Sequence, residues 1–196
     1  MSIVLLGSTS GSITLQEPAI AGSNTLNLPA VTGTFVVAGQ NSAITAGTSV
    51  SASGTSIDFT SIPSWVRRVS VIFNGVGTNG TSAYLIQIGS GSVTTSGYSG
   101  GGNRAGTASP VTATSTAGFI INSGASGGGK NGIFTIALMN ASNGYVFSGT
   151  GYAGSEPNQY VSAGNISLGG ILDRIRITTV NGTDSYNAGT INILYE

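Results

Sequence analysis

Apolar and polar residues alternate along most of this chain, and no segment repeats its apolar residues with the spacing of a helix. β-Branched residues are frequent in the alternating runs, and Gly, Asn and Ser separate one run from the next. Nine runs predict strands, at residues 56–60, 66–74, 83–88, 117–122, 132–139, 144–149, 160–168, 173–180 and 190–195. The chain is therefore predicted to be all-β.

The predicted strands differ in how many of their faces are apolar. In the run 66–74, Val69, Val71 and Phe73 share one face and polar residues occupy the other, which is typical of an antiparallel strand with one wet side. The run 132–139 is apolar on both faces, which predicts a central position in its sheet. Evenly spaced strands with Gly-rich turns and no helices between them predict an antiparallel β-sandwich of jelly-roll or Greek-key type.

A tandem repeat precedes the predicted sandwich. The eleven residues GSITLQEPAIA, beginning at Gly11, are followed at once by GSNTLNLPAVT, so that Gly, Ser, Thr, Leu, Pro and Ala recur at the same offsets. A unit too small to bury its own apolar side must stack on a neighbour, and two copies make only a short stack. We therefore predict a homotrimer with this segment at its axis. The alternative is an ordinary meander packed on its own subunit.

Four apolar residues of the repeat are the predicted trimer interface: Ile13, Leu15, Leu26 and Leu28. A polar stretch at residues 39–54 follows the repeat and is typical of a linker or an edge segment. We place a domain boundary there, with residues 1–45 as an extended β-repeat segment for attachment and trimerisation and residues 46–196 as the β-sandwich.

Composition excludes several classes of function. Only 6% of residues are charged, and six Lys and Arg balance six Asp and Glu, so neither nucleic acid nor an anionic membrane surface is an expected partner. The chain has no Cys and no His, which removes thiolate and imidazole chemistry. The N-terminal residues MSIVLLGSTSG have no basic segment and only four consecutive apolar residues, which predicts neither a signal peptide nor membrane insertion.

No cofactor or metal is predicted from the motifs. Gly75, Gly77 and Gly80 match a dinucleotide-binding pattern, but a strand and not a helix is predicted after them. Lys130 ends a near match to a phosphate-binding loop, but Asn131 stands where that loop needs Ser or Thr. The acidic residues are scattered. A glycosidase needs only two carboxylates brought together by the fold, so that class stays open, although no catalytic residue is predicted.

Two predicted connections, at residues 89–116 and 123–131, are long and rich in Gly and Ser. The first carries a ring, an amide and a guanidinium at Tyr98, Asn103 and Arg104, and these three are the candidate receptor contacts. The alternative is a disordered loop. The single Trp65 is predicted to be a core residue, with carbohydrate stacking or a protein interface as its alternative.

Three segments resemble tail fibre and other virion-surface proteins of tailed bacteriophages. They are LLGSTSGSITLQEPAIAGSNTLNLPAVTGT at residues 5–34, IPSWVRRVSVIFNGVGTNGTS at 62–82 and LDRIRITTVNGTDSYNAGTINILYE at 172–196. The resemblance implies a homotrimeric, all-β structural component of a virus particle, with the N-terminal segment attached and the sandwich exposed. It carries no catalytic motif onto this chain. Fibres usually have a long shaft, and these 196 residues leave almost no length for one, which keeps a capsid decoration or head-fibre role open.

The leading hypothesis is a virion protein, made in the host cytoplasm, that contacts a host-surface glycan and other virion proteins. A decoration or head-fibre protein that stabilises the capsid without a receptor is the alternative. An enzyme such as a depolymerase is the third hypothesis, and we expect no enzymatic activity because no residue offers a mechanism.

Overall fold

The computed structural model describes residues 2–6, 10–16, 44–106, 110–121, 129–154 and 158–196. Within these ranges the chain consists of antiparallel strands and their connections and contains no helix, so none that could cross a membrane. The predicted all-β class is confirmed. By its contacts the chain divides into two compact units, Met1–Val36 and Val37–Glu196.

The described part of the first unit is a hairpin of β1 (Ser2–Leu6) and β2 (Ser12–Gln16). Ile3 pairs with Leu15 and Leu5 with Ile13, so the first copy of the repeat forms its ladder within its own chain. Of the predicted trimer contacts, Ile13 and Leu15 are described by their backbone alone. Leu26 and Leu28 lie outside the described residues, and the predicted interface stays a prediction.

The second unit holds the remaining strands, and the nine runs predicted from the sequence are all strands there. In chain order the strands are β3 (Thr45–Ala46), β4 (Val50–Ser51), β5 (Ile57–Phe59), β6 (Arg68–Thr78), β7 (Tyr84–Ser90), β8 (Ser92–Val93), β9 (Ser99–Ala105), β10 (Val111–Thr114), β11 (Phe119–Ile121), β12 (Lys130–Leu138), β13 (Gly144–Ala153), β14 (Asn158–Ser167), β15 (Arg174–Thr179) and β16 (Tyr186–Tyr195).

These strands form two antiparallel sheets. The larger sheet has the order β10-β9-β14-β13-β12-β6-β16-β3, and β4 also pairs with β16. The smaller sheet has the order β11-β7-β15-β5, and β8 pairs with β7. The strand predicted to be central, residues 132–139, lies within β12 between β13 and β6, which confirms that prediction.

Side chains of both sheets enclose one hydrophobic core, the arrangement of a β-sandwich. At its centre the ring of Phe119, from the smaller sheet, stacks on that of Phe147, from the larger one, with centroids 4.5 Å apart. The ring of Phe134 lies nearly parallel to that of Phe147, and the ring of Tyr160 lies nearly parallel to that of Phe134. Because every second residue of a strand faces the core, the alternation seen in the sequence becomes this buried layer.

The two ends of the sandwich differ in what they carry. At the entry end, the backbone N–H groups of Arg67 and Arg68 donate to the carbonyl of Glu196, and Ile44 lines a small cleft with Glu196. At the opposite or far end, the connection 79–83 joins β6 to β7 and the connection 180–185 joins β15 to β16. The far end is thus the one opposite Ile44, the first described residue of this unit, and Glu196.

The prediction that Trp65 is a core residue is wrong. Its side chain is 53% exposed at the entry end, and its ring centroid lies 5.8 Å from that of Tyr195. The Val66 N–H donates to the Pro63 carbonyl and closes a turn that contains Trp65. The indole therefore lies ahead of β6, which begins at Arg68. The alternation pattern begins only after this turn, which is why the sequence did not reveal its exposure.

Candidate functional site

Tyr98 is a core residue, which contradicts its prediction as a receptor contact. It is 2% exposed, and its ring meets Phe119 edge to face at 4.9 Å. Its hydroxyl accepts the Ile88 N–H at 2.7 Å and lies 3.1 Å and 3.0 Å from the carbonyls of Ile88 and Thr94. Burial raises the pKa of Tyr98 to about 12. The ring therefore fixes the connection after β7 and is not available to a ligand.

Asn103 and Arg104 lie on β9, since the predicted long connection 89–116 contains β8, β9 and β10. Asn103 is exposed, and its register partner is the exposed Val161. Arg104 pairs with the buried Tyr160 and so faces the other side of β9. The structure thus does not gather the predicted trio at one place, and the receptor role of Asn103 and Arg104 stays a prediction.

Lys130, from the near match to a phosphate-binding loop, starts β12 and is 2% exposed. Its ammonium group lies 5.5 Å from the centroid of the Tyr84 ring, within the range of a cation–π contact. A strand and not a helix therefore follows at Lys130.

A cluster of polar groups lies at the far end, on the two connections 79–83 and 180–185, which we name the end loops. Each contains an Asn-Gly pair, a dipeptide that is typical of tight turns. Gly182 has a φ of +67°, which favours glycine, and its N–H donates to the Thr179 carbonyl at 3.0 Å. Gly80 has no such positive φ.

The end loops are joined to one another side by side. The Asn79 N–H donates to the Ser185 carbonyl at 3.0 Å, and the Ser185 N–H donates back to Asn79 Oδ1 at 2.8 Å. In addition, the Asn181 N–H donates to Ser82 Oγ at 3.1 Å. Residues that lie 99 and 106 positions apart in sequence therefore form one surface.

Asp184 is the acidic residue of this surface. Its Oδ1 accepts a bond from Asn181 Nδ2 at 2.6 Å, and its Oδ2 accepts the Ser82 N–H at 2.9 Å. These bonds, the Asn181 amide first, lower the pKa of Asp184 below its usual value. The absence of a side chain at Gly80 is required, because a Cβ there would collide with the carboxylate. The carboxylate is therefore held ionised, with lone pairs left for another donor.

The groups around Asp184 are exposed and uncharged. Asn79, Thr81, Asn181 and Thr183 are exposed, and Val180 is 54% exposed beside them. Amides and hydroxyls that can both donate and accept, one fixed carboxylate and one apolar contact match the chemistry of a polyhydroxylated ligand. Across the described part of the chain, no three His, Cys, Asp or Glu residues are placed to hold a metal ion.

The sequence indicated the turns of the end loops but not their joint surface. Asp184 looked like one of several scattered acids, because Ser82, which donates its N–H to Asp184, is brought there only by the pairing of β15 with β7 and of β16 with β6. An Asn-Gly-Thr tripeptide occurs in both loops, at residues 79–81 and 181–183. This shared tripeptide is the sequence feature from which a joint surface could have been predicted.

Comparison of the chain with family models, with curated proteins and with solved structures finds no match. The fold itself defines the class: an all-β protein built from two antiparallel sheets over a common core.

Proposed function

We propose that this chain is a structural protein of a bacteriophage virion, a short homotrimeric tail fibre that binds a glycan of the host surface. Residues 1–45 serve as the attachment and trimerisation segment, and the sandwich is the receptor-binding domain. The support is the resemblance of three segments to virion-surface proteins, together with an all-β fold whose far end presents fixed polar loops. Under this proposal the protein has no enzymatic activity.

A jelly-roll topology belongs to the same proposal. The early strands β6 and β7 lie in different sheets, and they pair with the late strands β16 and β15, respectively. Two consecutive strands from the start of the sandwich thus lie against two from its end, which supports a double-sheet jelly roll.

The end loops are the proposed glycan contact, and Asp184 is the observation that carries it. A carboxylate fixed by two hydrogen bonds can accept from a sugar hydroxyl without first being ordered, which lowers the entropic cost of binding. Exposed amides at Asn79 and Asn181 can bond adjacent hydroxyls.

Blocking the end loops tests this function. Thr183→Arg places a long side chain over the surface without removing a bond to Asp184, and it should abolish binding to host cells or to a glycan array. Thr60→Arg, at an exposed threonine of the entry end, is the matched control and should bind normally. Equal binding by wild type and Thr183→Arg would exclude the end loops as the contact.

A capsid decoration or head-fibre role is the alternative, and the entry end favours it. Trp65, Met139 and Ile171 are 53%, 65% and 47% exposed there. Trp and Met are enriched at protein interfaces, so this end suits attachment to a protein lattice. Decoration predicts a copy number close to that of the major capsid protein, whereas a tail fibre predicts a few copies. Quantifying the gel bands of this protein and of the major capsid protein from purified particles distinguishes the two roles.

A further inference from the structure

The outer side of the larger sheet is a continuous surface across β9, β14, β13, β12, β6 and β16, which we name the sheet face. Its residues alternate with those of the core, so each row across the strands can be followed from the pairing register. The central row contains, in sheet order, Asn103, Val161, Thr150, Ile133, Ile72 and Asn192.

Charged side chains are nearly absent from the sheet face. The described charges on it are Arg68 and Glu196, which form an ion pair with each other at the corner of the entry end. The smaller sheet offers a contrast, because its outer side carries Asp58 and Arg176, which pair at 2.7 Å, within two adjacent strands. Low charge at the centre of a surface is the compositional signature of a protein interface.

Large apolar side chains are exposed on the same face. Ile133 and Val161 are each 56% exposed, and Tyr152 and Val146 are 44% and 42% exposed. Ile133 and Val161 lie in one row, separated by Thr150 of β13. Tyr152 is the next same-face residue after Thr150 on β13, so it lies diagonally beside both Ile133 and Val161. This apolar group on a charge-poor sheet indicates a surface that is covered by a partner.

The extent of the sheet face matches one side of a stable protein interface. Strands about 4.8 Å apart and same-face residues about 6.8 Å apart give a charge-free area of roughly 800 Å² for six strands and four rows. A standard interface buries about 800 Å² on each partner. A sugar chain would cover much less of this area.

We infer that the sheet face is the contact between copies of this chain. A copy of the same chain offers an equally flat, charge-free surface, so neither partner would bury an unpaired charge. The inference rests on the proposed function for the number of copies, three, in which case the sheet face of each chain turns toward a threefold axis and meets those of both sister chains. The surface itself follows from the residues above. Asn103 then contacts a sister chain and not a receptor.

Single cysteines test this contact, because the natural chain contains none. Val161→Cys places a thiol in the sheet face, and Val180→Cys places one at a valine of similar exposure, 54%, in an end loop. In the purified full-length protein, a maleimide reagent should modify Val161→Cys about tenfold more slowly than Val180→Cys, since modification requires an uncovered face. In denaturant the two rates should be equal.

Equal native rates in the purified protein would overturn the inference, and so would protection of Val161→Cys that appears only in assembled particles, because the partner would then be another virion protein. Sedimentation adds a second criterion: wild-type protein should sediment above the 19.4 kDa of one chain, and a monomer would also overturn the inference. Glycan binding by Val161→Cys is measured in parallel. Protection without glycan binding would reject the proposed receptor role alone.

Discussion

At the scale of single residues, polar atoms that the strands leave unpaired are bonded by side chains from the connections. The hydroxyl of Tyr98 accepts the Ile88 N–H close to the end of β7. The hydroxyl of Tyr145 likewise accepts the Leu172 N–H at 2.9 Å. A buried N–H without a partner is costly, so these tyrosines determine where the sheet ends as well as filling the core.

Tyr98→Phe should destabilise the fold by about 1–3 kcal/mol, because the buried Ile88 N–H loses its acceptor while the ring and its packing are retained. Urea denaturation followed by tyrosine fluorescence measures the change. Tyr195→Phe, at a partly exposed tyrosine of the entry end, serves as the control and should change stability by less than about 0.5 kcal/mol. A Tyr98→Phe protein as stable as wild type would show that this bond does not matter.

At the scale of elements, the glycines of β13 make room for aromatic rings of the neighbouring strands. Gly149 pairs with Phe134, and a Cβ at Gly149 would stand 2.7 Å from the Phe134 Cα and from the Ile133 carbonyl oxygen. These are backbone atoms that cannot rotate away. The strand therefore needs glycine for space, since its φ is not in the left-handed region.

Gly149→Ala should destabilise the protein by about 1–3 kcal/mol through overpacking against β12. Gly169→Ala is the matched control, because a Cβ there meets no atom within 4 Å, and it should be nearly neutral. Thermal unfolding of both variants under one buffer condition makes the comparison. Similar unfolding temperatures for the two would mean that the sheet relaxes to accept the methyl group.

At the scale of the whole molecule, the sequence predicted the class and nine strands, since alternation is a local property. It did not predict β9, where Gly100, Gly101 and Gly102 have no side chains to alternate, nor the short pairings of β3 and β4. It also misplaced Tyr98 and Trp65, because burial outside an alternating run depends on which distant strand lies above it. The Asp184 surface was missed for the same reason.

Stability should be nearly constant from about pH 5 to about pH 9, because the chain has no His. Asp173 and Asp184 have lowered pKa values in the folded chain. Their ionised forms therefore add to the free energy of unfolding above the ordinary aspartate pKa, and this contribution is lost as pH falls from there through the lowered pKa. Burial raises the pKa values of Tyr84, Tyr98 and Tyr186. Their neutral forms therefore add to the free energy of unfolding below about pH 10, and this contribution is lost as pH rises above it. Denaturation midpoints from pH 3 to 11 measure the profile, and a decline between pH 6 and 8 would contradict it.

The pairing of β6 with β16 sets the order of events during synthesis. The middle of the larger sheet lacks a neighbour on one side until residues 186–195 have emerged from the ribosome. Contacts this distant in sequence slow folding, and an unpaired strand edge recruits other chains meanwhile. A nascent chain stalled before Tyr186 should therefore be a substrate for chaperones and a seed for aggregates.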